Sequence, residues 1–81
     1  MRCAAKIDKI EKIQKGIDKG RLITVEKDDG FYCSLAVLES TFKSLKKAFS
    51  LRKGSRVWAV MEKNYIIGIV DENGVGYIEQ D

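Results

Sequence analysis

Apolar and polar positions recur with more than one rhythm along this chain, and each rhythm predicts an element. In residues 4–18 the isoleucines at 7, 10, 13 and 17 are three or four places apart. At about 100° per residue they fall within roughly a 120° arc, so the spacing predicts an amphipathic helix over 4–18. Asp8–Lys12 and Glu11–Lys15 add i,i+4 pairs with the acid first, the better orientation on a helix. Gly20, or Gly16 before it, supplies the stop.

Residues 21–37 change to a strand pattern. Leu22–Glu26 and Phe31–Val37 bracket Lys27-Asp28-Asp29-Gly30, and Asp29-Gly30 predicts a type I′ hairpin turn. Alternation sets Phe31, Cys33, Leu35 and Val37 on one face and Tyr32 and Ser34 on the other. Over 38–51 the period is helical again, with Leu38, Phe42, Leu45 and Phe49 as the buried stripe. Residues 55–79 read as a three-stranded meander, turned at Glu62-Lys63-Asn64 and Asp71-Glu72-Asn73-Gly74.

These elements predict one small α+β domain over 1–81, in the order α-β-β-α-β-β-β. Its architecture is a small antiparallel twisted sheet or partly open barrel with two helices. Strands 56–61 and 65–70 are apolar on both faces, which predicts cover on both. A helix on each side would provide it, or a homodimer through a sheet face.

Composition narrows the chemistry. The chain has no histidine, which removes the usual general base and the commonest metal ligand. Ser34, Ser40, Ser44, Ser50 and Ser55 therefore have no imidazole to activate them. The adjacent acids Asp28-Asp29 and Asp71-Glu72 stand where turns are expected, and turn chemistry accounts for them. Cys3 and Cys33 share no motif, and Cys33 reads as a small core residue. The expectation is no catalytic group, no cofactor, no metal and no small-molecule substrate. No apolar run approaches the roughly 20 residues of a membrane span, and no signal-peptide h-region follows the start. A cytoplasmic protein with reduced thiols is expected.

Charge gives the one feature with direction. Between Ser40 and Met61 stand Lys43, Lys46, Lys47, Arg52, Lys53 and Arg56 with no carboxylate among them. Residues 1–39 hold eight basic and seven acidic groups, and 62–81 hold one and five, so the net charge of +3 originates in this stretch. The lysines at 6, 9, 12, 15 and 19 spread around the expected first helix among Asp8, Glu11 and Asp18, and read as a solvated face.

The run Phe49-Ser-Leu-Arg-Lys-Gly-Ser-Arg-Val-Trp-Ala-Val60, leading to Tyr65-Ile-Ile-Gly-Ile69, locally resembles the second half of swapped-hairpin regulators of the AbrB type. That resemblance implies dimers that bind DNA. The first half departs from it: Phe31-Tyr-Cys-Ser-Leu35 stands where those proteins show an arginine and then a proline.

The function expected is a small non-enzymatic binding or regulatory module. It would contact nucleic acid through the basic face of helix 38–51 and the following turn, with Trp58 and Tyr32 as candidates for base stacking. The rival expectation is an inhibitor or adaptor whose six cations meet an acidic protein surface.

Overall fold

The computed structural model describes residues 1–48 and 50–79, with the backbone alone at Lys15. Six strands and one helix follow in order: β1 Arg2–Lys15, β2 Asp18–Lys27, β3 Tyr32–Leu38, α1 Glu39–Ala48, β4 Arg56–Glu62, β5 Tyr65–Val70 and β6 Gly76–Ile78. All neighbours pair antiparallel in one open sheet ordered β3-β2-β1-β4-β5-β6. The sheet curls enough for β3 to meet β5 across its inner side, and α1 lies there against β2, β3 and β6.

The helix expected over 4–18 is a strand, and its pairing gives the physical reason. Ile7 faces Val25 and Lys9 faces Thr24, so Asp8 is one extra residue, a β-bulge. A bulge restores to the same face two residues three apart, which an unbroken strand would set on opposite faces. Ile7 and Ile10 therefore both point inward, opposite the fully buried Val25 and Ile23. Ile13 falls on the outer side and Ile17 stands 95% exposed in the turn. Gly16, which read as a helix stop, opens a two-residue hairpin turn between the paired Lys15 and Asp18, with φ of 66°.

The hairpin expected over 21–37 forms, with a different turn. Lys27 N–H donates to Phe31 O and Gly30 N–H to Lys27 O, and Gly30 takes φ of 89° while Asp28 and Asp29 keep negative values. This is a type I turn closed by a left-handed glycine rather than type I′. The β5–β6 turn repeats it, with Asp71 N–H donating to Val75 O and Gly74 N–H to Asp71 O. Asp71 Oδ1 also accepts from the N–H groups of Asn73 and Val75, at 2.9 Å each, which ties this acid to turn structure.

Helix α1 is shorter than the expected 38–51. Leu38 closes β3 opposite Gly20, and Phe49 lies outside the described residues. Glu39 in the first turn and Lys46 and Lys47 in the last suit the helix dipole. Phe42 and Leu45 bury its inner stripe, and Leu51 follows them into the core from the connecting segment. Gly54 N–H donates to Ile7 O and Ile7 N–H to Ser55 O, so the segment after the helix joins β1 at the bulge.

The main core cluster lies on the inner side: Ala5, Ile7, Ile23, Val25, Leu35, Val37, Val57, Ala59, Met61, Ile66 and Ile69 under Phe42, Leu45 and Leu51. Val70, paired with Trp58 on the other side, is fully buried as well. The outer side of β4 has no covering helix, and Trp58 there is 37% exposed. One helix on one face replaces the two expected. No described helix is long and apolar enough to cross a membrane. Ile23 lies at the centre of this core, so Ile23→Ala should lower the unfolding free energy in denaturant titration by about 2–5 kcal/mol.

Candidate anion-binding surface

Each of the six cations is exposed, but they do not share one face. On a helical wheel Lys43, Lys46 and Lys47 fall with Glu39 on roughly a 100° arc beside the buried stripe. Thr41, Ser44 and Ala48 lie on the opposite flank, toward Val75 and the β6 residues Gly76 and Tyr77. Arg52 and Lys53 stand in the turn that bonds to β1 at Ile7. Arg56 is different: Val57 points inward, so Arg56 points outward, where its Nη1 lies 3.3 Å from Asp28 Oδ1. Around it Lys6, Glu26, Lys27 and Asp28 form a surface of mixed charge.

The lysine flank of α1 meets basic residues from the segment that read as a solvated helix face. After the bulge, Lys12 pairs with Arg21 and Gln14 with Lys19, on the same side as Ile10 and Ile23. That side faces α1. The Arg21 guanidinium sits 4.5 Å from the centre of the Phe42 ring and grips Glu39 with two hydrogen bonds, Nε to Oε1 at 2.8 Å and Nη2 to Oε2 at 3.2 Å. An open groove of about 530 Å³ runs between hairpin and helix, lined by Lys12, Gln14, Lys19, Arg21, Glu39 and Lys43 among others.

Glu39 is the acid of this groove, and it is engaged. The hydrogen bonds from Arg21 hold its carboxyl below the ordinary carboxylate value, against a smaller opposing effect of burial, with Lys43 and Lys12 adding to the lowering. A bidentate arginine–carboxylate pair fixes both side chains. It leaves Lys12, Lys19 and Lys43 as the lining cations with no described ion pair. The outer side of β1 is balanced instead, with Lys9 3.6 Å from Glu11 and Lys6 3.7 Å from Glu26.

Neither stacking candidate lies beside this groove. Trp58 is on the outer side, lining a 300 Å³ hollow with Ala4, Arg56, Asp71 and Glu72. Two carboxylates there would repel a phosphate. Tyr32 is 58% exposed near the start of β1, beside a 500 Å³ cleft that also touches Met1, Cys3, Phe31, Cys33 and Met61. Cys3 and Cys33 are both free and half-buried, and burial pushes the Cys33 thiol up. Among the described residues no group of three or more His, Cys, Asp or Glu could hold a metal ion.

Lys12 and Lys19 were not read as lining a surface with α1 because a helical wheel scatters them, and Arg21 because it fell at the start of the expected hairpin. Counting every second residue after Ile10 would have aligned Lys12 with the core side. The signal for that count is Gly16-Ile17 between two residues able to pair. The chain matches no family model, no curated protein and no solved structure.

The Glu39 pair makes a prediction about pH. A carboxyl lowered on folding adds stability that is present above its unfolded value and lost as pH falls through its folded value. Glu39→Gln should therefore melt below the parent at pH 7, and the two melting temperatures should converge as the solution is acidified below the ordinary carboxylate range.

Proposed function

We propose that this protein is a non-enzymatic binding module that holds nucleic-acid backbone against the lysine flank of α1, with Arg52 and Lys53 in the turn that follows. One observation carries the reading. Lys43 faces Lys12, Lys19 and Arg21 across a groove whose acid, Glu39, is already neutralised by Arg21. Phosphates entering there meet cations from three elements and, among the described residues lining the groove, no free carboxylate, so each contact releases counterions without an opposing repulsion. A bound partner also meets little resistance from the fold, because Lys12, Lys19 and Lys43 are exposed and the core lies behind Phe42 and Leu45. Arg56 belongs to another surface and is not part of this site.

An acidic protein surface would satisfy the same cations, and the two readings differ in what salt does to binding of bare polyanions. The test is fluorescence anisotropy with a labelled random-sequence DNA across a salt series. The parent should bind at low salt with a steep log–log slope. The triple variant Lys43→Gln, Lys46→Gln, Lys47→Gln should lose up to about three units of that slope, near 0.9 for each phosphate released. No binding at low salt, or an unchanged slope in the triple variant, would exclude this site and leave the protein-adaptor reading.

A further inference from the structure

Resting on that reading, we infer that its ligand is duplex DNA and that the tip of the β1–β2 hairpin enters the major groove, with Ile17 against the base edges. The tip is built to reach. Beyond the last pair between β2 and β3, Gly20 with Leu38, two more pairs and a turn continue as a bare two-stranded ribbon. At about 3.3 Å per residue those pairs project roughly 7 Å before the turn is added, close to the 8.5 Å depth of the major groove. That groove, about 12 Å wide, admits a two-stranded ribbon.

The tip residues fit such an approach. Lys12, Lys19 and Arg21 flank it on the α1 side, so a duplex seated on the helix lysines would have its backbone along the groove and its base edges before the tip. Asp18 is the tip's acid, and alternation sets it on the outer side, away from that groove. At the apex stands Ile17, 95% exposed. A hairpin turn opened by glycine favours Asn, Asp or Ser at the next position, and a free tip gains nothing from isoleucine there. Against base edges an isoleucine gains apolar contact, as with a thymine methyl group.

The placement of aromatic residues separates duplex from single strand. A single-strand groove interleaves cations with exposed rings on which successive bases stack. Here the exposed Phe31 and Tyr32, at the β2–β3 turn, and Tyr65, at the β4–β5 turn, gather where β1 begins. The cation-lined groove lies toward the other end of β1, and Trp58 is on the opposite side of the sheet. Rings and cations are segregated, which suits a ligand whose bases stay stacked and paired.

The test compares a duplex DNA, a duplex RNA of the same sequence and one DNA strand alone, at fixed low salt and then across a salt series. The duplex DNA should bind tightest. The A-form RNA should bind several-fold more weakly, because its major groove is too narrow and deep for the tip. Ile17→Ser removes no charge and no buried surface, so the protein stays folded. It should weaken duplex DNA several-fold with an unchanged salt slope and leave the single strand unaffected. Lys12→Gln with Lys19→Gln should instead lower the duplex slope by about two units. Equal binding of all three nucleic acids, or an Ile17→Ser variant indistinguishable from the parent, would overturn the inference while leaving the helix surface in place. Absence of binding to any of them would overturn both.

Discussion

The bulge at Asp8 is the constraint on which the rest of this structure depends. With one extra residue in β1, the strand changes which side its odd and even positions face. Before it Ala5 and Ile7 point inward, and after it Ile10 does. Without that change Ile10 would face outward and Ile13 inward, leaving an apolar gap opposite Ile23. The bulge also marks where β1 exchanges neighbours. Its first residues pair with β4, Ile7 bonds to the segment after α1, and the remainder pairs with β2 alone. Bulges increase local twist and bend a strand; with a second register shift between Val60 and Met61 of β4, the sheet curls until β3 meets β5.

The same residue sorts the charges. Lys12 is carried to the side of the sheet where α1 lies, joining Lys19 and Arg21, which alternation along β2 sets on the side of Ile23. Arg21 anchors that arrangement, its guanidinium shared between the Phe42 ring and the Glu39 carboxylate. The contact does three things at once. It covers part of an aromatic ring that the core leaves at its border, fixes the first turn of the helix against β2, and cancels the acid that would otherwise repel a polyanion. Charges on the outer side are matched into ordinary surface pairs, which contribute little to stability.

How much of this was legible in the sequence depended on whether local pattern and chain geometry agreed. The hairpin of Leu22–Glu26 with Phe31–Val37 was legible because alternation and an Asp-Gly turn point the same way. So were the strands at 56–61 and 65–70, and the core roles of Phe42 and Leu45. The first element was not, since a bulged strand with isoleucines at 7 and 10 has the spacing of a helix, and no propensity rule locates a bulge. That one error hid the approach of Lys12 and Lys19 to α1. A second loss followed from reading charge in one dimension: Arg56 is close to Lys53 in sequence, yet a single strand step turns it to the far side, beside Asp28. The local resemblance over 49–60 and 65–69 takes in most of β4 and β5, and it carries no information about β1.

The most direct test of the account is the conformation of residues 9–15 in solution. Nuclear Overhauser spectroscopy of the labelled protein should give strong sequential Hα–HN contacts through this stretch, with cross-strand contacts joining Ile10 to Ile23 and Lys12 to Arg21. A continuous run of HN–HN contacts and Hα to HN three residues on would show a helix there. That result would contradict the account, since it would remove the bulge, the groove and the hairpin tip together.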